Sequence, residues 1–166
     1  MFTIDDYTNS IKINLEKNSN KLISNISKIV DYNFFTEIDI LDFVASIEPT
    51  RFELSIRMFS MDKVANEVFY EEDDNKVFAG SIDVLQDIEY YHLSDSQFDE
   101  FLDFYEENED EIYDKEQRVF TNWFYNCWIK AGGQNFKLPS YFVFHDDDKS
   151  FNLKENKWIS DDNKWE

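Results

Sequence analysis

The chain has 166 residues, of which 42% are hydrophobic and 18% aromatic, and it carries a formal charge of -20 at neutral pH. A chain of this length folds as one ordinary domain burying roughly 70% of its unfolded surface, and its charge opposes binding to nucleic acid phosphates and to an anionic membrane. A single cysteine, Cys127, excludes an internal disulfide framework and argues against a Cys-ligated structural metal.

In the opening segment, Ile4, Tyr7, Ile11, Leu15, Leu22, Ile26, Ile29 and Val30 recur at helical spacing, which predicts an N-terminal amphipathic helix. The polar run Lys17-Asn18-Ser19-Asn20 either interrupts it or marks its wet face. Residues 36–47 and 51–61 read as a hairpin about Glu48-Pro49-Thr50. In the second arm Phe52, Leu54, Ile56 and Met58 alternate with Glu53, Ser55 and Arg57. Further strands are expected at 67–71 and 87–93, separated by an acidic loop, Glu72-Asp73-Asp74-Asn75.

Ser94 and Gln97 form the two halves of a capping box, with Leu93 and Phe98 as its hydrophobic staple, and predict a helix over 95–108. Phe98, Phe101, Leu102 and Tyr105 share its inner face, and acids crowd the outer one. A second helix over 110–131 is apolar on nearly all sides near its end and stops at Gly132-Gly133. Residues 141–144 and 151–153 then bracket a C-terminal hairpin. The fold class is α+β: an antiparallel sheet packed against an N-terminal helix and two central helices, with a C-terminal hairpin. One globular domain spans 1–160, and 161–166 is expected to fray.

Motifs for catalysis are sparse, and the chain is expected not to be an enzyme. The only imidazoles, His92 and His145, accompany no nucleophile motif, and Cys127 falls on a buried helix, where a thiol is inert. A calcium loop begun at Asp146 would place Phe151 at the glycine turn and Lys157 at the bidentate glutamate, so the His145 to Asp148 run reads as a hairpin turn rather than a metal site. Gly80, Gly132 and Gly133 make no phosphate loop. No cofactor is expected. The first residues lack a basic and an apolar signal region, and no apolar run approaches the ~20 residues of a membrane span, so a cytoplasmic location is expected.

The charge is concentrated. Between Glu71 and Glu116 there are 18 acids and two bases, Lys76 and Lys115, a distribution suited to steering a cationic partner. The candidate partner-binding residues are Asp99, Glu100, Asp103, Glu106, Glu107, Glu109 and Asp110. Trp158 and Trp165, in a polar tail, are candidate interface aromatics.

Length, charge and aromatic content, with Trp128-Ile129-Lys130-Ala131-Gly132-Gly133, Leu138-Pro139-Ser140-Tyr141 and His145-Asp146, resemble bacterial immunity proteins of polymorphic or contact-dependent toxin systems. The resemblance implies an inhibitor that binds a cognate toxin, in many cases a basic nuclease, and the net charge implies no direct nucleic acid or membrane binding of its own. Two alternatives stand beside it: a DNA mimic whose carboxylates replace duplex phosphates against a DNA-binding protein, and a soluble domain without a catalytic role. A pocket holding buried carboxylates of raised pKa would reopen the catalytic reading.

Overall fold

The computed structural model describes all of residues 1–166. The opening segment forms two helices, α1 (Ile4–Glu16) and α2 (Ser19–Val30). They part at Asn18, whose side-chain amide donates to the Asn14 carbonyl at 3.2 Å and so competes with the helix ladder. Both helices are then tied to the far end of the sheet. Asn14 donates to the Tyr90 carbonyl at 3.0 Å, and Asn25 to the Val84 carbonyl at 2.7 Å.

The hairpin is present as β1 (Ile40–Glu48) and β2 (Glu53–Met61), paired antiparallel from Ile40↔Met61 to Glu48↔Glu53. Leu54, Ile56 and Met58 are fully buried while Arg57 is exposed, as the alternation requires. β3 (Ser81–Glu89) lies earlier in the chain than expected, and no strand forms over 67–71. After β2 the Asp62 side chain accepts from the Val64 and Asn66 backbone N–H groups and turns the chain. Val68 then makes one bond back to Ser60 before β3 takes the edge beside β2.

The capping box at Ser94 and Gln97 opens a 3-10 turn that leads into α3 (Phe98–Glu107). An elbow at Asn108 separates it from α4 (Glu109–Lys130), which ends where Gly132 adopts a left-handed φ of 87°. Three short strands follow: β4 (Ser140–Phe144), β5 (Lys149–Asn152) and β6 (Lys157–Ser160). The six strands run in the order β3-β2-β1-β4-β5-β6. All neighbours pair antiparallel except β1 and β4, which are parallel, so the fold is α+β with a mixed sheet where an antiparallel one was expected. β4 arrives after α4 has crossed the sheet, and such a crossover delivers a strand parallel to the one it joins.

The helices cover one face of the sheet. α4 presents Phe120, Phe124 and Trp128 to Phe43, Phe142 and Phe144, with the Phe124 and Phe142 rings stacked at 4.6 Å. Burial also pushes the Cys127 thiol up. The other face is closed locally by residues 161–165, which form a 3-10 turn and are not frayed. The Lys164 ammonium, 2% exposed, enters between Asp42 Oδ2 at 3.0 Å and Asp161 Oδ1 at 2.6 Å, with Ser150 Oγ at 3.2 Å. That buried charge pair outweighs the polar composition from which fraying was expected. Trp165 lies against the same ammonium at 4.8 Å, and Trp158 packs edge-on to Phe151.

Candidate functional site

All seven candidate partner-binding acids are exposed. Asp99, Glu100, Asp103, Glu106 and Glu107 lie on α3, and Glu109 and Asp110 open α4, so a single elbow carries the set. Glu100 approaches the Met1 amino group at 3.9 Å. The other six form no ion pair. Helix electrostatics explains only part of this placement. Acids stabilise a helix in its first turn, as Asp99, Glu100, Glu109 and Asp110 do, but Glu106 and Glu107 occupy the last turn of α3, where the dipole is negative and no base follows.

The rest of the acidic block goes elsewhere. Asp83 is bound by Arg57 at 2.6 Å, and Asp87, held at a φ of 52°, donates its backbone N–H to Ser55 Oγ at 3.0 Å. Glu71 to Asp74 lie in the loop between β2 and β3. Glu116 is not on the surface at all. The charge concentrated between Glu71 and Glu116 is therefore divided among several elements, and the elbow retains its largest unpaired share.

Beside the elbow a cavity of about 370 Å³ opens between α3, α4 and the β1–β2 turn. Phe101, Leu102 and Tyr105 form its α3 side, Ile47, Pro49 and Phe52 its turn side, and Tyr7, Tyr90, Glu116 and Phe120 its buried end. Leu102, expected to face inward, is 40% exposed at the mouth. Glu116 is 6% exposed and accepts hydrogen bonds from the Tyr105 hydroxyl at 2.6 Å and the Tyr7 hydroxyl at 3.0 Å. No cation pairs with it, and no lysine or arginine lines the cavity.

Burial holds the Glu116 carboxyl above the usual glutamate range, although both tyrosine bonds pull the other way. Burial and the Glu116 charge also push the Tyr7, Tyr90 and Tyr105 phenols well above the ordinary tyrosine range, with Glu48 adding to Tyr90 and Glu109 to Tyr105. The site is therefore electronegative at both its floor and its rim. The cavity holds one buried carboxylate, Glu116, with no second buried carboxyl beside it, and the His145 imidazole also belongs to its lining.

Composition places Glu116 within the acidic block and does not set it apart from the surface acids. The signal was present, since Glu116 interrupts the apolar row Ile112, Phe120, Phe124 and Trp128 at helical spacing. A raised carboxyl pKa means the fold disfavours the ionised form, so Glu116 weakens stability above the ordinary glutamate pKa and this penalty disappears below it. Glu116→Gln is accordingly expected to raise stability by about 1 kcal/mol at neutral pH. Urea denaturation across pH should show the gain vanishing as pH falls below ~4, where the unfolded carboxyl becomes protonated as well as the folded one.

The Asp146 to Asp148 run forms the β4–β5 turn. Asp146 takes a φ of 64°, and Asp147 accepts from Gln117 at 2.9 Å. No helix is long and apolar enough to cross a membrane. Comparison with family models, curated proteins and solved structures finds no match to the chain.

Proposed function

We propose that this protein is an acidic binding protein that neutralises a basic protein partner, in the manner of an immunity protein toward a cognate toxin. The observation that carries the reading is the α3–α4 elbow: six of its seven carboxylates have no ion-pair partner, and two stand where the helix dipole opposes them. Such groups cost the isolated fold a little and gain a role when a cationic surface arrives. A basic nuclease, whose substrate cleft is itself cationic, is the partner class this charge fits best. The elbow would then occupy the region that phosphates otherwise enter.

The test is affinity capture by the wild type and by Asp103→Asn/Glu106→Gln/Glu107→Gln, followed by mass spectrometry at about 50 and about 300 mM salt. A basic protein held by the wild type at low salt, and bound roughly tenfold more slowly by the triple variant, is the expected result. Equal capture of the same protein by both forms would remove the elbow from the interface. A toxin encoded beside this gene and rescued by the wild type alone would identify the partner.

A further inference from the structure

The cavity beneath the elbow has chemistry of its own. Each Glu116 oxygen receives one tyrosine proton, Oε1 from Tyr105 and Oε2 from Tyr7. A hydroxyl has one proton to give, so the two phenols that bond Glu116 have none left for a ligand and offer only lone pairs. The carboxylate likewise retains acceptor capacity. The floor is thus rich in acceptors, its walls are the aromatic faces of Phe52, Tyr90, Phe101 and Phe120, and a volume of about 370 Å³ lies within the range of small-ligand pockets. An anion meets the Glu116 charge and no lysine or arginine there, although the Tyr90 hydroxyl, the Gln117 amide and the His145 imidazole also belong to the lining. A group with only donors and a positive charge finds a counter-ion, lone pairs and aromatic faces together.

Building on the proposed binding of a basic partner, we infer that this cavity receives a lysine or arginine side chain of that partner, with Glu116 as its counter-ion. Charge complementarity decides the occupant: the lining contains no lysine or arginine, Glu116 has no ion-pair partner, and the adjoining elbow carries the unpaired acids. The aliphatic stem of such a side chain would cross the mouth at Leu102 and Ile47 and lie along apolar surface, with the charged head at Glu116. Desolvating two opposite charges together is favourable only when hydrogen bonds complete their shells, and the tyrosines already supply part of that completion.

The probes are n-butylammonium, n-butylguanidinium, the neutral isostere n-butanol and a doubly blocked lysine, titrated into the intact protein at constant ionic strength and followed by backbone amide NMR. The cations and the blocked lysine are expected to bind with Kd on the order of millimolar and to shift signals around Ser46, Tyr105 and Gln117. n-Butanol should bind at least tenfold more weakly. Glu116→Gln should abolish this preference, whereas Tyr105→Phe, which preserves the carboxylate charge, should retain it. Equal binding of n-butanol and n-butylammonium to the wild type, or an undiminished preference in Glu116→Gln, would overturn the inference. Binding of n-butylammonium with exclusion of the blocked lysine would assign the cavity to a free amine and overturn the side-chain assignment. The Asp103→Asn/Glu106→Gln/Glu107→Gln protein separates the two proposals, because it should lose the protein partner yet bind n-butylammonium within about threefold of the wild type.

Discussion

Lys164→Met is expected to destabilise the protein by about 3–5 kcal/mol, the range for removing one partner of a buried ion pair. The ammonium is the cation placed against Asp42, whose own side chain is 8% exposed on β1. Burial already raises the Asp42 carboxyl, and Lys164 is the group that holds it down. Without Lys164, Asp42 must remain ionised in a dry site or take up a proton. The folded-state pKa then rises further above the unfolded value, so the lost stability should be present at neutral pH and recover as pH falls toward the ordinary aspartate range. Asp161 is less exposed to this loss because its side chain remains 30% accessible to water. Adding Asp42→Leu to Lys164→Met should restore most of the stability, since an apolar pair of similar volume replaces both charges. Urea denaturation of the two variants checks this, and equal stability of Lys164→Met and wild type at neutral pH would show that the tail does not hold the sheet.

Gly133→Ala is expected to cost about 1–3 kcal/mol, and more if the backbone cannot yield. A methyl group at Gly133 would overlap the Trp128 indole, well inside contact distance of its Cδ2, Cε2 and Nε1 atoms. That ring cannot move aside cheaply. It is 2% exposed and held edge-on by Phe43 at 5.5 Å and Phe136 at 6.1 Å. The neighbouring Gly132 provides the contrast. Its added methyl meets nothing within 4 Å, and the penalty comes from the φ of 87° alone, about 1 kcal/mol. The ordering Gly133→Ala below Gly132→Ala below wild type should appear in the urea midpoints, with near-UV circular dichroism reporting the displaced indole in the first variant only. Reversal of the order would place the close packing at the wrong glycine.

These two sites differ in how openly the chain announced them. The Gly132-Gly133 stop was legible because only glycine readily takes the left-handed conformation that ends α4, but nothing local revealed that the second glycine lies under an indole. The pairing of Lys164 with Asp42 spans 122 residues. Local composition there predicts a wet tail, and only the arrangement of β1, β4 and β5 creates the niche that dries it.

Local physical chemistry was sufficient for the hairpin about Glu48-Pro49-Thr50, the capping box at Ser94 and Gln97, and the amphipathic α3, because each depends on spacings of a few residues. It also put Asp99, Glu100, Asp103, Glu106 and Glu107 on the outer face of that helix, while the elbow that sets Glu109 and Asp110 beside them is a product of the fold. Tertiary structure alone decided the parallel entry of β4, the edge position of β3 and the inward destination of Glu116. A carboxylate is solvated or buried according to what packs over it, and the groups that cover and bind Glu116, Tyr7 on α1 and Tyr105 on α3, lie 109 and 11 residues away along the chain. Charge could therefore be counted from residue identities, while the distinction between a surface acid and the floor of a cavity required long-range contacts that no short sequence window contains.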